Sequence, residues 1–468
     1  MPRAGWVKPR DSQHLSDHIA LGVLTRTFPP RLVDEVVAES GRAQQRSRLL
    51  PARLVVYYVL AMALFSDSSY EEVMRSLVEG LAFESGWRKR WSVPTKGAIF
   101  LARERLGAEP LQALFRRACV PIATPATPGA FYRDWRLMAI DGTTLDLADT
   151  PENDEHFGRP GSSRGEGKGA FPQLRLVGLG ECGSHALVAV QMGGYRTSEQ
   201  ALAKNLVGAL KPGMLVLADR GFYSFGLWTA AKAAGAELLW RTKSSHVLPV
   251  SERLEDGSYL SSLHEIVNFK RRREGIPVRV VEYALVEPGR PQAESTRYRL
   301  LTTILDPALA PAAELAACYR ERWEFESLLD EIKSHERGPR VVLRSKKPDG
   351  VRQEAYGYLC LHYAIRVLMH DAANSGELDP DRVSFTRALR AARRSVRAGI
   401  GTASRAVDLA LNVAIEEITF ELLPERRLRA AARVVKRKMS NYGVKRAEHR
   451  SWPRPTLPVD QAIQVITN

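Results

Sequence analysis

MLVLADRGFYSFGLWTAAKAAGAELLW, residues 214–240, reads as a strand, an acid, a glycine turn, a helix and a second strand. Met214–Ala218 is a short apolar run ending at Asp219. Gly221 supplies a turn, Phe225–Ala234 has helical composition, and Glu237–Trp240 is apolar again. Upstream, Leu174–Leu179 and Ala186–Met192 read as paired strands, and Leu137–Ile140 is a short strand reaching Asp141. A hairpin followed by strand–helix–strand implies a mixed α/β sheet. Ligands of such sheets gather beyond the carboxyl ends of strands, where both Asp141 and Asp219 stand. Each aspartate alone is equally readable as a turn-former.

A third acid lies in YRERWEFESLLDEIK, residues 319–333. At about 100° per residue, Tyr319, Arg322, Glu326 and Lys333 fall at roughly 0°, 300°, 340° and 320° of one helix. A phenol, a guanidinium, a carboxylate and an ammonium thus share one stripe, while Glu324 and Glu331 fall on the other side. A carboxylate flanked by cations suits a divalent metal held beside a phosphodiester. A surface helix with spaced ion pairs is the plain alternative. With Asp141 and Asp219 there are three acids, which repel unless cations neutralise them; two Mg²⁺ ions would answer that need. Asp146, five residues after Asp141, and Asp330, near the face of Glu326, are rival ligands.

The chain has 468 residues, 44% hydrophobic and 26% charged, as expected of a globular protein with several domains. Its net charge of +15 favours a polyanionic partner, nucleic acid above all. Cys119, Cys182, Cys318 and Cys360 are far apart, which argues against a disulfide scaffold or zinc ribbon and fits a reducing compartment. The N-terminal MPRAGWVKPR lacks the apolar core of a signal peptide. The longest apolar run, Leu54–Phe65, is too short to span a bilayer and reads as a buried helix.

Residues 1–128 read as a helical domain. Leu21–Ala38 has helical spacing, Ser68 or Ser69 with Glu71 or Glu72 forms a capping box, and Thr95 opens a helix ending at Gly107. Lys96, Arg103 and Arg105 on that helix could reach a DNA backbone or form a solvated face. PIATPATPG, 121–129, is a linker. Residues 129–242 hold the first part of the sheet, 243–305 a strand-rich insertion with the basic cluster Lys270–Arg273, and 306–372 the segment with Glu326. Residues 373–468 are helical and basic, with 11 Lys plus Arg against 2 Glu between Glu425 and Arg454. GLGECG, 178–183, matches a dinucleotide fingerprint, but an alternating strand follows instead of a helix, so it reads as a hairpin turn. His14 and His18 have metal-ligand spacing but no third ligand.

These residues resemble the DDE transposases of bacterial insertion sequences, specifically the insertion-sequence-4 type, over nearly the whole chain. Tyr319, Arg322, Glu326 and Lys333 match the family's tyrosine–arginine–glutamate–lysine signature in spacing. Asp219, Gly221 and Phe222 match its second-acid motif, and Asp141 its first acid. LGVLTRTFPPRLVDEVV with SRLLPARLVVYYVLAMALF resembles its N-terminal domain, and KMSNYGVKRAEHRSWP its basic tail.

The resemblance implies a ribonuclease H-like α/β catalytic core with a β-rich insertion, flanked by helical N- and C-terminal regions. It implies Asp141, Asp219 and Glu326 as catalytic residues and ligands of two Mg²⁺ ions, with Mn²⁺ able to substitute. Tyr319, Arg322 and Lys333 would engage DNA phosphates, and Lys436, Arg437, Lys438, Lys445 and Arg446 would belong to a DNA-binding tail. Some relatives place a base-stacking tryptophan in the insertion, where this chain has Tyr298 before Arg299, Leu300, Leu301 and Thr302. The expected activity is cleavage at element ends and strand transfer into target DNA, by a homodimer on double-stranded terminal repeats. The expected location is the cytoplasm, associated with the nucleoid and not with a membrane. A ribonuclease H-like nuclease without strand transfer is the alternative enzyme, and a transposase-derived DNA-binding regulator the alternative from another class.

Overall fold

The computed structural model describes residues 22–44, 50–84, 94–161, 169–267, 270–271, 275–286, 297–338, 342–398, 404–424, 434–435, 443–444, 446–447 and 459–466. The elements that carry the argument are strands β1 (Trp135–Leu147), β2 (Gln173–Glu181), β3 (Leu187–Gly194), β4 (Met214–Ala218), β5 (Glu237–Arg241), β6 (Tyr259–Leu263), β7 (Ile276–Leu285) and β8 (Arg297–Thr302). The corresponding helices are α1 (Ala52–Leu64), α2 (Lys96–Leu106), α3 (Phe225–Ala233), α4 (Ala312–Cys318), α5 (Trp323–Asp330), α6 (Pro348–Ser375) and α7 (Phe385–Ala398). The chain forms two compact units. One comprises residues 1–130, 141–206 and 324–423; the other comprises 131–140, 207–323 and 424–468.

The first unit is mainly helical. Every residue of α1 except Arg53 is buried, as its unbroken apolar run demands, and Arg53 donates from Nε to Asp34 Oδ1 at 2.6 Å. The helix packs on α6, where Gly357 allows close approach: a Cβ there would lie 3.1 Å from Val59 Cγ1. The helix Tyr70–Glu84 is capped by Ser69, whose Oγ accepts from Glu72 N at 3.2 Å. Thr95 caps α2 by accepting from Ala98 N at 3.3 Å, and Gly107, at φ 69°, ends it.

Arg103 of α2 departs from the expectation of a DNA-facing cation. It is buried, its Nε donates to Gln353 Oε1 at 3.1 Å, and its Nη2 donates to Ser345 Oγ at 3.0 Å and the Gly350 carbonyl at 3.1 Å. Charge at helical spacing does not reveal that a neighbouring helix covers the residue. Lys96 and Arg105 of the same helix are exposed.

In the same unit β2 and β3 form an antiparallel hairpin, registered from Leu174↔Gly194 to Gly180↔Leu187. GLGECG is the end of β2 and its turn, not the start of a helix.

The second unit is built on parallel strands. The first half of β1 pairs with β4 from Arg136↔Met214 to Ile140↔Ala218, and β4 pairs with β5 from Leu215↔Glu237 to Ala218↔Trp240. All five residues of β4 are buried, as a strand covered on both faces requires. The crossover helix α3 begins at Ser224, whose Oγ accepts from Leu227 N at 3.3 Å. Beyond β5 the sheet turns antiparallel through β8, β7 and β6, so these insertion strands extend the sheet, while Ile266–Val267 and Lys270–Arg271 pair as a separate short ribbon. Ile463–Val465 also pairs with β7.

Along the hydrogen-bonded path the five core strands run β3-β2-β1-β4-β5. An antiparallel hairpin followed by a parallel strand–helix–strand around a central first strand is the ribonuclease H-like arrangement. The four cysteines are buried and form no disulfide bond. No helix among the described residues is long and apolar enough to cross a membrane.

Candidate active site

Ile140 and Ala218 are partners on parallel strands, and the next residue after each is an aspartate. Asp141 belongs to the first unit and Asp219 to the second; both are half-buried. The strand expected to stop at Asp141 continues to Leu147, so Asp141 lies within β1. The backbone N–H of Gly142 donates to Asp141 Oδ1 at 2.8 Å. Asp146, the rival, is an odd number of residues away and so faces the other side of a regular strand. It accepts from Gln173 Nε2 at 2.8 Å.

Asp219 opens a tight turn in which Phe222 N donates to its carbonyl at 3.0 Å, and Phe222 is buried. Asp219 Oδ1 is buried and has no hydrogen-bond partner among the described residues. Arg241 Nη1 lies 3.8 Å from it, an ion-pair contact outside hydrogen-bond range. A buried carboxylate oxygen without a donor is costly unless a cation meets it. Hard oxygen donors such as these suit Mg²⁺ or Mn²⁺.

The segment from Tyr319 to Lys333 is helical but not one α-helix. A 3₁₀ turn, Tyr319–Arg322, leads into α5, and a π-helical turn, Glu331–Glu336, follows it. The expected stripe is therefore overwound at one end and underwound at the other. Burial grades along it: Tyr319 and Arg322 are buried, Glu326 is half-buried and Lys333 is exposed. Tyr319 donates from its hydroxyl to the Ala218 carbonyl at 3.3 Å, which ties this turn to the residue before Asp219. Burial first, and Asp219 in addition, push the Tyr319 phenol well above its ordinary range despite Arg322, so it stays a donor. The Arg322 guanidinium lies over the rings of Trp323 at 5.0 Å and Tyr319 at 5.9 Å. Asp330, the other rival ligand, is exposed and accepts from Ser334 Oγ at 2.7 Å.

Tyr298 of β8 is half-buried. Its ring stacks on Tyr283, its cross-strand partner, at 5.0 Å and 14°, and the Arg241 guanidinium lies 4.5 Å from its centroid. Trp240 is fully buried against Trp228, whereas Trp323 is 39% exposed. In the basic tail Arg446 is exposed; Lys436, Arg437, Lys438 and Lys445 lie outside the described residues, as do His14 and His18.

A second cluster escaped the sequence reading. Glu324 and Glu331, the acids on the far side of the stripe, are buried in the first unit. His185, in the turn between β2 and β3, places Nε2 2.5 Å from Glu324 Oε2 and 3.2 Å from Asp381 Oδ1. Its Nδ1 is 3.5 Å from Glu331 Oε1. From α6, Arg366 Nε donates to Glu331 Oε2 at 2.9 Å, and His362 Nε2 lies 2.9 Å from the same oxygen. Burial and Arg366 push the His185 imidazole down, but Asp381, Glu324 and Glu331 outweigh them and raise it to about 9. Burial pushes the Glu331 carboxyl up, but Arg366, His185 and His362 hold it well below its ordinary range. The group thus sets the Arg366 guanidinium and the His185 imidazole against three carboxylates, Glu324, Glu331 and Asp381. His185 has φ 57°, a left-handed backbone that costs a side chain other than Gly or Asn about 1 kcal/mol. A signal was present: Glu324 and Glu331 alternate with the apolar Phe325, Leu328 and Ile332 on what must be the covered face.

The pattern of the family described as insertion element 4 transposase N-terminal matches residues 18–116, and that of the transposase DDE domain matches residues 134–363. The transposase InsG for insertion sequence element IS4 of Escherichia coli (strain K12) is 29% identical over 432 residues, which is 92% of each chain. The putative transposase InsZ of the same strain is 27% identical over 232 residues, 50% of this chain and 71% of that one. A solved synaptic complex of piggyBac transposase with hairpin DNA aligns over 87% of this chain and 86% of that one. Its TM-score is 0.42 at 14% identity. The two family patterns and the near full-length relative agree, and the chain belongs to the insertion-sequence-4 type of DDE transposases.

Proposed function

We propose that this transposase cuts its element ends and joins them to target DNA using Asp141, Asp219 and Glu326 as the ligands of two Mg²⁺ ions, with Mn²⁺ able to substitute. The observation that carries the reading is the register Ile140↔Ala218, after which each parallel strand delivers an aspartate. The buried Oδ1 of Asp219 supports it: among the described residues it accepts no hydrogen bond and has only the Arg241 guanidinium at 3.8 Å, so a cation in direct contact would compensate its burial. When bound, the ions supply Lewis acidity to the attacking and leaving oxygens of an in-line displacement.

The chain's own residues do the rest. Tyr319 holds the carbonyl before Asp219 and so fixes the end of β4. Arg322 and Lys333 bind non-bridging phosphate oxygens. In the first displacement water bonds to phosphorus at the element end and the bond to the 3′ oxygen breaks, leaving a 3′-hydroxyl and a 5′-phosphate. In the second, the oxygen of that hydroxyl bonds to phosphorus in a target phosphodiester and gives up its proton, while the bond from phosphorus to the target's own 3′ oxygen breaks and leaves a target 3′-hydroxyl. Neither step needs a covalent enzyme intermediate. Net charge of +15 supplies salt-dependent affinity for double-stranded terminal repeats and target DNA. Joining two ends requires two active sites, so the working form is a homodimer on DNA.

The test is a strand-transfer assay with labelled element ends, a supercoiled target and Mg²⁺. Joined product from wild type, and none from Asp219→Ala, is the expected result. Cleaved ends without joined product would leave a nuclease instead.

A further inference from the structure

We infer that the β2–β3 hairpin is the positioning cradle of Glu326, with His185 as its positioning residue. This rests on Glu326 being a metal ligand, as proposed above.

The helix geometry comes first. Glu324 and Glu331 are seven residues apart, which brings them within roughly 20° of each other on a helix, while Glu326 lies roughly 200° from Glu324. The face gripped by His185, Arg366 and His362 is thus opposite the one that bears Glu326. A grip on the back of a helix sets its rotation, and with it the direction of the front.

The hairpin also fixes how close the helix comes. Phe325, between the gripped acid and Glu326, is buried. A Cβ at Gly180 would lie 2.8 Å from Phe325 Cε2 and 3.1 Å from Leu328 Cδ1. A Cβ at Gly178 would lie 3.2 Å from Phe325 Cζ and 2.6 Å from Leu187 Cδ1. Two glycines of GLGECG therefore make the groove into which Phe325 seats. The turn itself is anchored: Glu181 Oε2 accepts from Ile122 N at 2.9 Å, Ala123 N at 2.8 Å and Ser184 Oγ at 2.5 Å.

His185 sits in that turn at positive φ, where Gly or Asn would be easier. The imidazole is what the position retains in return. Donor atoms of His185, Glu324 and Asp381 lie within 4.8 Å of one another, as metal ligands would. The Arg366 guanidinium against the imidazole supplies positive charge there instead. The cluster is accordingly a clamp of side chains.

The experiment compares wild type with His185→Asn, Glu324→Gln and Gly180→Ala. Asn tolerates the left-handed backbone, and Gln keeps the shape of Glu without its charge. Mn²⁺ affinity is read by electron paramagnetic resonance on full-length protein bound to pre-cut ends, alongside single-turnover cleavage, DNA-end affinity and thermal midpoint. Expected are Mn²⁺ dissociation constants raised by roughly tenfold or more, the scale typical for residues supporting a metal ligand. Cleavage should fall in step and end binding should stay within about twofold. Should His185→Asn fail to fold, Glu324→Gln decides alone. Lower thermal midpoints with wild-type Mn²⁺ affinity and cleavage in the folded protein would overturn the cradle. Glu326→Ala runs as control: if it binds Mn²⁺ and cleaves like wild type, the metal reading itself has failed, not the cradle.

Discussion

Arg241 lies between two residues that the sequence gives no reason to connect: its Nη1 is 3.8 Å from Asp219 Oδ1 and its guanidinium is 4.5 Å from the Tyr298 ring. The end of β5 thereby links the second acid to the aromatic of the insertion. This bears on what Tyr298 can do.

Tyr298 already has an aromatic partner in Tyr283, and a cross-strand aromatic pair stabilises a sheet. A base could stack only on ring surface left by that pair. Base–aromatic stacking is worth about 1–3 kcal/mol, so Tyr298→Ala should slow a flipping-dependent step by roughly 5–150-fold, and Tyr298→Trp should keep or raise the rate. The probe is 2-aminopurine beside the cleavage site. Identical fluorescence with wild type and Tyr298→Ala, together with equal effects on pre-melted and duplex ends, would make Tyr298 a packing residue. Trp323, exposed beside Arg322, would then be the next aromatic to test, whereas Trp240 is inside the core.

The C-terminal basic segment should add affinity and not rate. Changing Lys436, Arg437 and Lys438 together to Ala is expected to flatten the slope of log affinity against log salt by up to about 3. Gel shifts across a salt series measure this. An unchanged slope would place those side chains away from phosphate.

The buried cluster makes stability depend on pH in a defined window. His185 is raised from its ordinary value to about 9 by Asp381, Glu324 and Glu331, against burial and Arg366, with His362 as the remaining titratable neighbour. The folded state therefore holds the imidazole proton more tightly than the unfolded one. That contribution is complete below about pH 6.5 and is lost as pH rises through about 9, with a size of a few kcal/mol. Urea midpoints between pH 6 and 10 should fall for wild type, and fall less for His185→Asn. Parallel curves would show that His185 is neutral in the folded protein.

Glu336, at the end of the π-helical turn, is wholly buried, and neither carboxyl oxygen has a hydrogen-bond partner among the described residues. Burial pushes its carboxyl well above the ordinary range. Replacing a partnerless buried acid with an apolar side chain of similar size removes a desolvation cost of about 1–3 kcal/mol. Glu336→Met should raise the thermal midpoint by several degrees. A lower midpoint would mean that the carboxyl has a partner in solution, such as a bound water.

Much of this site was legible because strands write themselves in short apolar runs. Met214–Ala218 and the helix from Phe225 match the folded elements to within a residue, so the position of Asp219 could be read from the chain. The cap at Thr95 was equally local. What escaped depends on neighbours far away in sequence. Arg103 looks like a surface cation until Gln353 covers it, and Glu324 looks like a solvated acid until His185, 139 residues upstream, meets it. The glycines of GLGECG were read correctly as turn-forming, but their role in admitting Phe325 needs the tertiary contact. Departures from α-helical winding at Tyr319 and Glu331 likewise have no one-dimensional signature.

The central claim is that Asp141, Asp219 and Glu326 act as one metal-binding set. The most direct measurement is Mg²⁺-dependent cleavage of a labelled element end by Asp141→Ala, Asp219→Ala and Glu326→Ala, with gel shifts on the same preparations. Each variant should lose cleavage while keeping specific end binding, because most binding energy comes from phosphate contacts elsewhere. Normal cleavage by any one of the three, with end binding intact, would contradict the account.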